Sequence, residues 1–185
     1  MRAAPGLCLS GLFAAASLAA QPVSAGLKAG VPLTRLLSAA PAGPPVETKR
    51  YTLGPMVELR LPRSFAVEID MLFKRMEYGR KTAANRWELP LLVKRRFGRG
   101  RWNPFAGVGA SFNWVTGARS GDPAELLHRS TKGVVTGAGV EGRLGRLRVS
   151  PELRFTRWAD RNFGVRDAAL RSELSQVEVL VGVAF

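Results

Sequence analysis

The sequence has almost no cysteine or histidine. Its single cysteine, Cys8, and its single histidine, His128, lie far apart in a chain of 185 residues. Transition metals are held by clusters of Cys and His side chains, so we expect no such metal site and no cofactor. Ser130 lies too close to His128 in sequence to form a catalytic dyad readily, and no orienting acid is evident. We therefore predict a solvated loop histidine and no enzymatic activity.

Long apolar runs are also missing, except near the N-terminus. A short positive start precedes an uncharged run over 7–20, and Val23-Ser24-Ala25 then offers small residues for cleavage. A membrane-spanning helix needs about 20 predominantly apolar residues, so this pattern is typical of a secretory signal peptide. We predict a signal peptide over 1–25, with cleavage near Ala20 as the alternative, and one exported domain over 26–185.

Acidic residues are few, with 14 against 28 basic residues and a formal net charge of +14. Such a surplus would normally point to nucleic acid as a partner. Because the leader indicates export, we expect no nucleic-acid partner. The placement of the charges along the chain is therefore more informative than their sum.

Apolar and polar residues alternate over most of the domain, with the period of two that characterises β-strands. The connections are alternately tight turns and longer loops, which is typical of a β-barrel with short turns at one end. Each segment is long enough for a tilted transmembrane strand, which needs about 9–11 residues. The predicted strands cover 25–34, 51–61, 65–78, 86–97, 102–115, 133–144, 147–158 and 173–185.

One face of these strands is aliphatic, and the other carries the mid-strand charges. The charges and the interleaved glycines Gly107, Gly109, Gly137, Gly139 and Gly182 share that second face. Alternation alone leaves open which face points inward, because a soluble ligand-binding barrel would turn its charges outward. The predicted charge network comprises Lys28, Glu58, Arg60, Glu68, Asp70, Lys74, Glu88, Lys94, Glu141, Arg143, Arg148, Glu152, Arg154 and Glu178, with Arg96 on the same face.

Three features favour charges inside and aliphatic residues outside. First, acids and bases on the charged face nearly balance, as expected for an enclosed set that must pair. Second, glycines between the charges leave room for long side chains from the opposite wall. Third, aromatics on the aliphatic face gather at both strand ends, as they do at membrane interfaces. They are Tyr51, Phe73, Trp87, Phe112, Trp114 and Phe155 toward the long loops, and Phe65, Phe97, Trp102 and Phe185 toward the short turns.

The chain ends on a strictly alternating segment, 177–185, that closes with Phe185. Together with the strand pattern, this ending resembles the small eight-stranded bacterial outer-membrane proteins of the OmpA/OmpX/PorT-like β-barrel superfamily. The resemblance implies an all-β fold, an antiparallel up-and-down transmembrane barrel that follows a cleaved signal peptide. It also implies location in the outer membrane, and recognition of Phe185 by the outer-membrane assembly machinery. We expect a monomer.

The resemblance indicates fold and location more strongly than function. We expect a structural or surface-interaction protein whose lumen is plugged by paired charges, because eight strands leave little interior space. A narrow passive pore and a lipid-modifying enzyme are the alternatives. Besides membrane lipid, lipopolysaccharide is a candidate partner, since arginine binds phosphate through paired hydrogen bonds. The candidate contacts near the long loops are Arg80, Lys81 and Arg86.

Overall fold

The computed structural model describes residues 23–34, 37–39, 51–78, 82–98, 100–117, 125–164 and 170–185. The predicted signal peptide lies almost entirely outside these residues, as do Arg80 and Lys81. Among the described residues, no helix is long and apolar enough to cross a membrane.

The described part of the chain is built from β-strands. In chain order they are β1 (Val23–Pro32), β2 (Leu37–Ala39), β3 (Thr52–Arg60), β4 (Phe65–Asp70), β5 (Leu72–Tyr78), β6 (Thr82–Arg96), β7 (Trp102–Thr116), β8 (Glu125–Leu126), β9 (Ser130–Leu144), β10 (Leu147–Trp158), β11 (Phe163–Gly164), β12 (Leu170–Ser172) and β13 (Ser175–Ala184).

The long strands close into an antiparallel barrel. They follow the order β1-β13-β10-β9-β7-β6-β4-β3, and β1 pairs with β3 to complete the circle. β5 continues β4, so the closed sheet has eight strands, as predicted. The last strand meets the first through pairs such as Gly26 with Ala184, and the Phe185 amide donates to the Ala25 carbonyl at 3.1 Å. β1 begins at Val23, slightly earlier than the predicted segment.

The break between β4 and β5 at Met71 comes from two prolines. Pro55 and Pro90 lie on the two neighbouring strands and have no N–H to donate. The Met71 amide still donates to the Pro55 carbonyl at 3.0 Å. The register is unchanged across the break, with Met56 opposite Asp70 before it and Leu53 opposite Phe73 after it. Residues 65–78 therefore act as one barrel strand.

The two ends of the barrel differ in their connections. Tight turns close one end, including Gly145-Arg146, where Gly145 adopts a φ of 65° that favours glycine. At the other end, short strand pairs lie in the long loops: β8 pairs with β11, and β2 with β12. These short pairs were not predicted, because two or three residues show no period.

The aliphatic face points outward and the charged face inward, as predicted. Leu27 is 60 % exposed and Val134 58 %, whereas Lys28 and Glu68 are fully buried. Exposed aromatics lie near both barrel ends, with Phe97 and Trp102 by the short turns and Phe112 and Phe155 nearer the long loops. This arrangement is opposite to that of a soluble ligand-binding barrel.

Candidate functional site

The barrel interior contains three layers of charged side chains. The middle layer contains three acids and three bases, and it lies halfway along the strands. Its members come from β1, β4, β6 and β10, so they reach inward from different walls. They are Lys28, Glu68, Asp70, Lys94, Glu152 and Arg154.

Every charge in the middle layer has a partner of opposite sign. Lys28 Nζ contacts Glu68 Oε1 at 2.5 Å, Glu152 Oε2 at 3.0 Å and Asp70 Oδ2 at 3.3 Å. The Arg154 guanidinium binds the same three carboxylates, at 2.7 Å to Asp70, 2.8 Å to Glu152 and 3.1 Å to Glu68. Lys94 Nζ completes the set at 2.7 Å from Glu68 Oε2. The layer is neutral as a whole, which suits charges removed from water.

The outer layer lies closer to the long loops and is also balanced. Lys74 Nζ contacts Glu88 Oε2 at 2.5 Å and Glu178 Oε1 at 2.8 Å. Arg86 Nε lies 3.0 Å from Glu88 Oε1, and its guanidinium stacks 4.5 Å from the centre of the Trp158 ring. Two acids and two bases thus neutralise each other in this layer.

The prediction that Arg86 contacts lipopolysaccharide is wrong. Its side chain is 2 % exposed and points into the lumen, where Glu88 and Trp158 hold it. The alternation contained a signal for this position, because Arg86 and Glu88 are two residues apart in one strand and so share a face. Arg80 and Lys81 lie outside the described residues.

The mouth layer lies beside the short turns and contains more bases than acids. Both acids are held twice. Arg96 contacts Glu58 through Nη2 and Glu141 through Nε, the latter at 3.1 Å. Arg148 Nη1 lies 2.8 Å from Glu58 and 3.3 Å from Glu141. The layer consists of Glu58, Arg60, Arg96, Glu141 and Arg148.

The third base of this layer, Arg60, is only weakly held. Its nitrogens lie 3.8 Å from Glu58 Oε1 and 3.8 Å from Glu141 Oε1, beyond hydrogen-bonding distance. Arg143, which was predicted to belong to the lumen network, is exposed and lies at the edge of the mouth. The mouth layer therefore has surplus positive charge.

A cavity of about 210 Å³ opens at this mouth. Its cationic lining comes from Arg60, Arg96 and Arg143, and Glu141 is its acid. Ser64, Gly98, Gly100 and Asn103 complete the wall. Sequence reasoning found the charges but not the cavity, because the cavity depends on how three turns meet.

Two of the interleaved glycines, Gly107 and Gly137, make room for charged side chains, as predicted. A Cβ at Gly137 would lie 2.5 Å from Glu152 Oε1, and one at Gly107 would lie 3.0 Å from Lys94 Cγ. A Cβ at Gly182 would lie 2.6 Å from Ser150 Oγ. These distances are shorter than ordinary van der Waals contacts, so larger residues would crowd the network.

A neutral polar cluster lies beyond the outer layer, near the long loops. Asn113 Nδ2 donates to Thr131 Oγ1 at 2.7 Å, and Asn162 Nδ2 donates to Asn113 Oδ1 at 2.9 Å. His128 is exposed and its Nδ1 lies 3.1 Å from the Arg161 carbonyl oxygen. Across the described residues, no group of three or more His, Cys, Asp or Glu side chains is placed to hold a metal ion.

Comparison with known proteins identifies the fold. No protein-family model matches the chain, and no curated protein matches it at a significant level. The structure is similar to that of Neisserial surface protein A, with a TM-score of 0.60, 11 % identity and coverage of 88 % of this chain and 94 % of that one. The chain has the fold of the small eight-stranded outer-membrane barrels.

Two barrels from Pseudomonas aeruginosa have the same fold. For the outer membrane protein OprG the TM-score is 0.52 at 10 % identity, with coverage of 88 % of this chain and 94 % of that one. For the N-terminal β-barrel domain of OprF the TM-score is 0.50 at 14 % identity, with coverage of 89 % and 98 %. At such low sequence identity, the similarity is limited to the fold.

Proposed function

We propose that this chain is a non-enzymatic integral protein of a Gram-negative outer membrane, with a structural or surface-interaction role. The exposed aliphatic band supports insertion in a bilayer, because it would otherwise face water over the whole barrel wall. The similarity in fold to known outer-membrane barrels supports the outer membrane as the location. We also propose that the protein is a monomer.

The proposal that the lumen is plugged rests on the ion pairs of the middle layer. Lys28 on β1, Glu68 on β4 and Glu152 on β10 meet at one point in the barrel, and Arg154 binds both acids. An ion or solute would have to break several of these contacts to pass. A narrow passive pore would instead need a continuous open path through this layer.

Conductance in planar bilayers tests the plug. The reconstituted protein should show no steady ohmic conductance of the size that porins show. A Glu68→Ala, Arg154→Ala double variant removes one acid and one base, so the layer stays neutral while space opens. It should conduct more than the parent, whereas Arg157→Ala, at an exposed position, should not. Large stable openings of the parent would favour the passive pore.

Phe185 is proposed as part of the signal for the outer-membrane assembly machinery. Its ring is 74 % exposed on the barrel wall, and β13 ends one residue before it. Deletion of Phe185 should lower the amount of heat-modifiable protein in the outer-membrane fraction, while any cleaved leader is still removed. Replacement of Leu27, another exposed residue at that end, by Ala serves as the control. Normal insertion without Phe185 would contradict this role.

Contact with lipopolysaccharide remains a proposal for Arg80 and Lys81 alone. In the sequence they fall between Tyr78, the last residue of β5, and Thr82, the first residue of β6. Replacement of both by Gln should weaken lipopolysaccharide binding at low salt, and added salt should shrink the difference by screening. The exposed Arg146 at the short-turn end, replaced by Gln, is the control. Equal binding by the double variant and the parent would exclude this contact.

A further inference from the structure

The cavity at the short-turn mouth is lined by surplus cations. We propose that it is a binding site for a phosphate group. Arg60, Arg96 and Arg143 line the cavity, and Glu141 is the acid among its lining residues. Arginine presents a planar fork of donors that matches the oxygens of phosphate. A bound phosphate anion would offset charge that the layer itself leaves unbalanced.

Among the arginines of the mouth layer, Arg60 is the one with a buried donor that lacks a partner. Its Nε is buried and has no hydrogen-bond partner. The nearest carboxylates, on Glu58 and Glu141, lie 3.8 Å away and are already held by Arg96 and Arg148. A buried donor without a partner is costly, and a phosphate oxygen in the cavity would satisfy it.

Asn103 adds a means of selecting phosphate over sulfate. Its side chain is 9 % exposed, and its Nδ2 donates to the Gly100 carbonyl at 3.0 Å. Its Oδ1 is buried and accepts no hydrogen bond. A phosphate group retains a proton at about pH 6, so its O–H can donate to Oδ1. Sulfate has no such proton and would leave Oδ1 unsatisfied.

The cavity of about 210 Å³ has room for a phosphate together with an attached group. Two sources supply the same chemistry at this end of the barrel. One is free inorganic phosphate, and the other is the phosphate monoester headgroup of phosphatidic acid, which also retains a proton at about pH 6, reached from the adjacent leaflet. Both present phosphate oxygens to the same arginines.

Binding of inorganic phosphate to the full chain, folded in an uncharged detergent, tests the site. Calorimetry at about pH 6 should show binding of phosphate and weaker binding of sulfate at equal ionic strength. Arg60→Gln should weaken phosphate binding about tenfold, because charge-assisted hydrogen bonds are lost. Asn103→Ala should reduce the preference for phosphate over sulfate.

Matched variants separate the site from general surface charge. Arg146→Gln removes the same charge at the same barrel end, outside the cavity lining, and should bind phosphate as the parent does. Arg60→Gln should fold, since Glu58 and Glu141 keep two arginines each, and heat-dependent gel mobility checks this. Arg143→Gln, at an exposed position, is a second variant of the cavity lining in which phosphate affinity is measured. Equal phosphate affinity in the parent, Arg60→Gln and Arg143→Gln would overturn the proposal, as would no binding by the parent.

A bilayer arm distinguishes the two sources of phosphate. The same titration is repeated in nanodiscs that contain phosphatidic acid, whose headgroup is a phosphate monoester. Unchanged affinity for inorganic phosphate there would assign the site to the free anion. Loss of inorganic phosphate binding in the discs, with binding intact in detergent, would assign it to the lipid headgroup.

Discussion

The middle layer and the mouth layer of the barrel use the same residue types with opposite results. In the middle layer three acids and three bases pair completely, and Lys28 and Glu68 are fully buried. In the mouth layer three bases share two acids, and the Arg60 side chain is 22 % exposed. The comparison shows that positive and negative charges must be equal in number where the side chains are fully buried. Unpaired charge is tolerated where water or an anion can reach it, and not at the barrel centre.

The largest difference in the free energy of unfolding is expected between the replacement of one arginine in the middle layer and the replacement of one arginine in the mouth layer. Arg154→Gln leaves three middle-layer carboxylates with two lysines and should cost about 3–5 kcal/mol, as expected for breaking a buried pair. Arg60→Gln makes the same chemical change but leaves both mouth acids paired, so its cost should stay within about 1 kcal/mol. Urea unfolding of the two variants in lipid vesicles measures the difference. Equal costs would remove the distinction between the layers.

The outer wall of the barrel offers a second comparison, between a residue at the level of the middle layer and a residue at the short-turn end. Val181 is paired with Ala29 and Pro151 at the level of the middle layer, whereas Leu147 follows a short turn. Val181→Arg should cost about 2–4 kcal/mol, the range for a cation at the bilayer midplane, and Leu147→Arg only about 0–1 kcal/mol near the interface. The same unfolding assay applies. If the two costs were alike, the barrel would not span the bilayer with its middle layer at the centre.

Glycine substitutions test the packing of each layer. A Cβ at Gly137 would lie 2.5 Å from Glu152 Oε1, which is pinned by Arg154, so Gly137→Ala should cost about 1–3 kcal/mol. At Gly100, in the turn that lines the mouth, the nearest atom would be 3.8 Å away, and Gly100→Ala should be nearly neutral. Thermal unfolding monitored by gel mobility compares them. A neutral Gly137→Ala would mean that the middle layer is loosely packed.

Much of the fold could be predicted from the sequence because a barrel strand obeys a period of two. That period separates the outward Val179 and Val181 from the inward Glu178 and Leu180, and it identifies the lumen charges together. The short strands in the long loops were not predicted, because they are too short to show this period. Leu170–Ser172 and its partner are three residues each, too few for a period to appear.

The pairing within each layer could not be predicted, because it depends on which strands face one another across the barrel. Lys28 and Glu152 are 124 residues apart and meet at 3.0 Å. The surplus at the mouth follows from the same long-range placement. Arg86 illustrates a different failure: its inward position was readable from its spacing to Glu88, but its place near a loop suggested an exposed residue.

The smallest expected effect concerns the start of β1 at the mouth. Ser24 is 5 % exposed, accepts a hydrogen bond from Arg148 Nη2 and donates to the Glu58 carbonyl at 3.4 Å. Ser24→Ala should cost about 0.5–1.5 kcal/mol, the usual net value of a hydrogen bond. Because Val23 also pairs with Leu59, cleavage after Ala20 would keep these contacts and cleavage after Ala25 would remove them. If a leader is cleaved, we therefore expect the intact mass of the processed protein to correspond to a start before Val23. A start at Gly26, with unchanged stability in Ser24→Ala, would show that β1 does not need these residues.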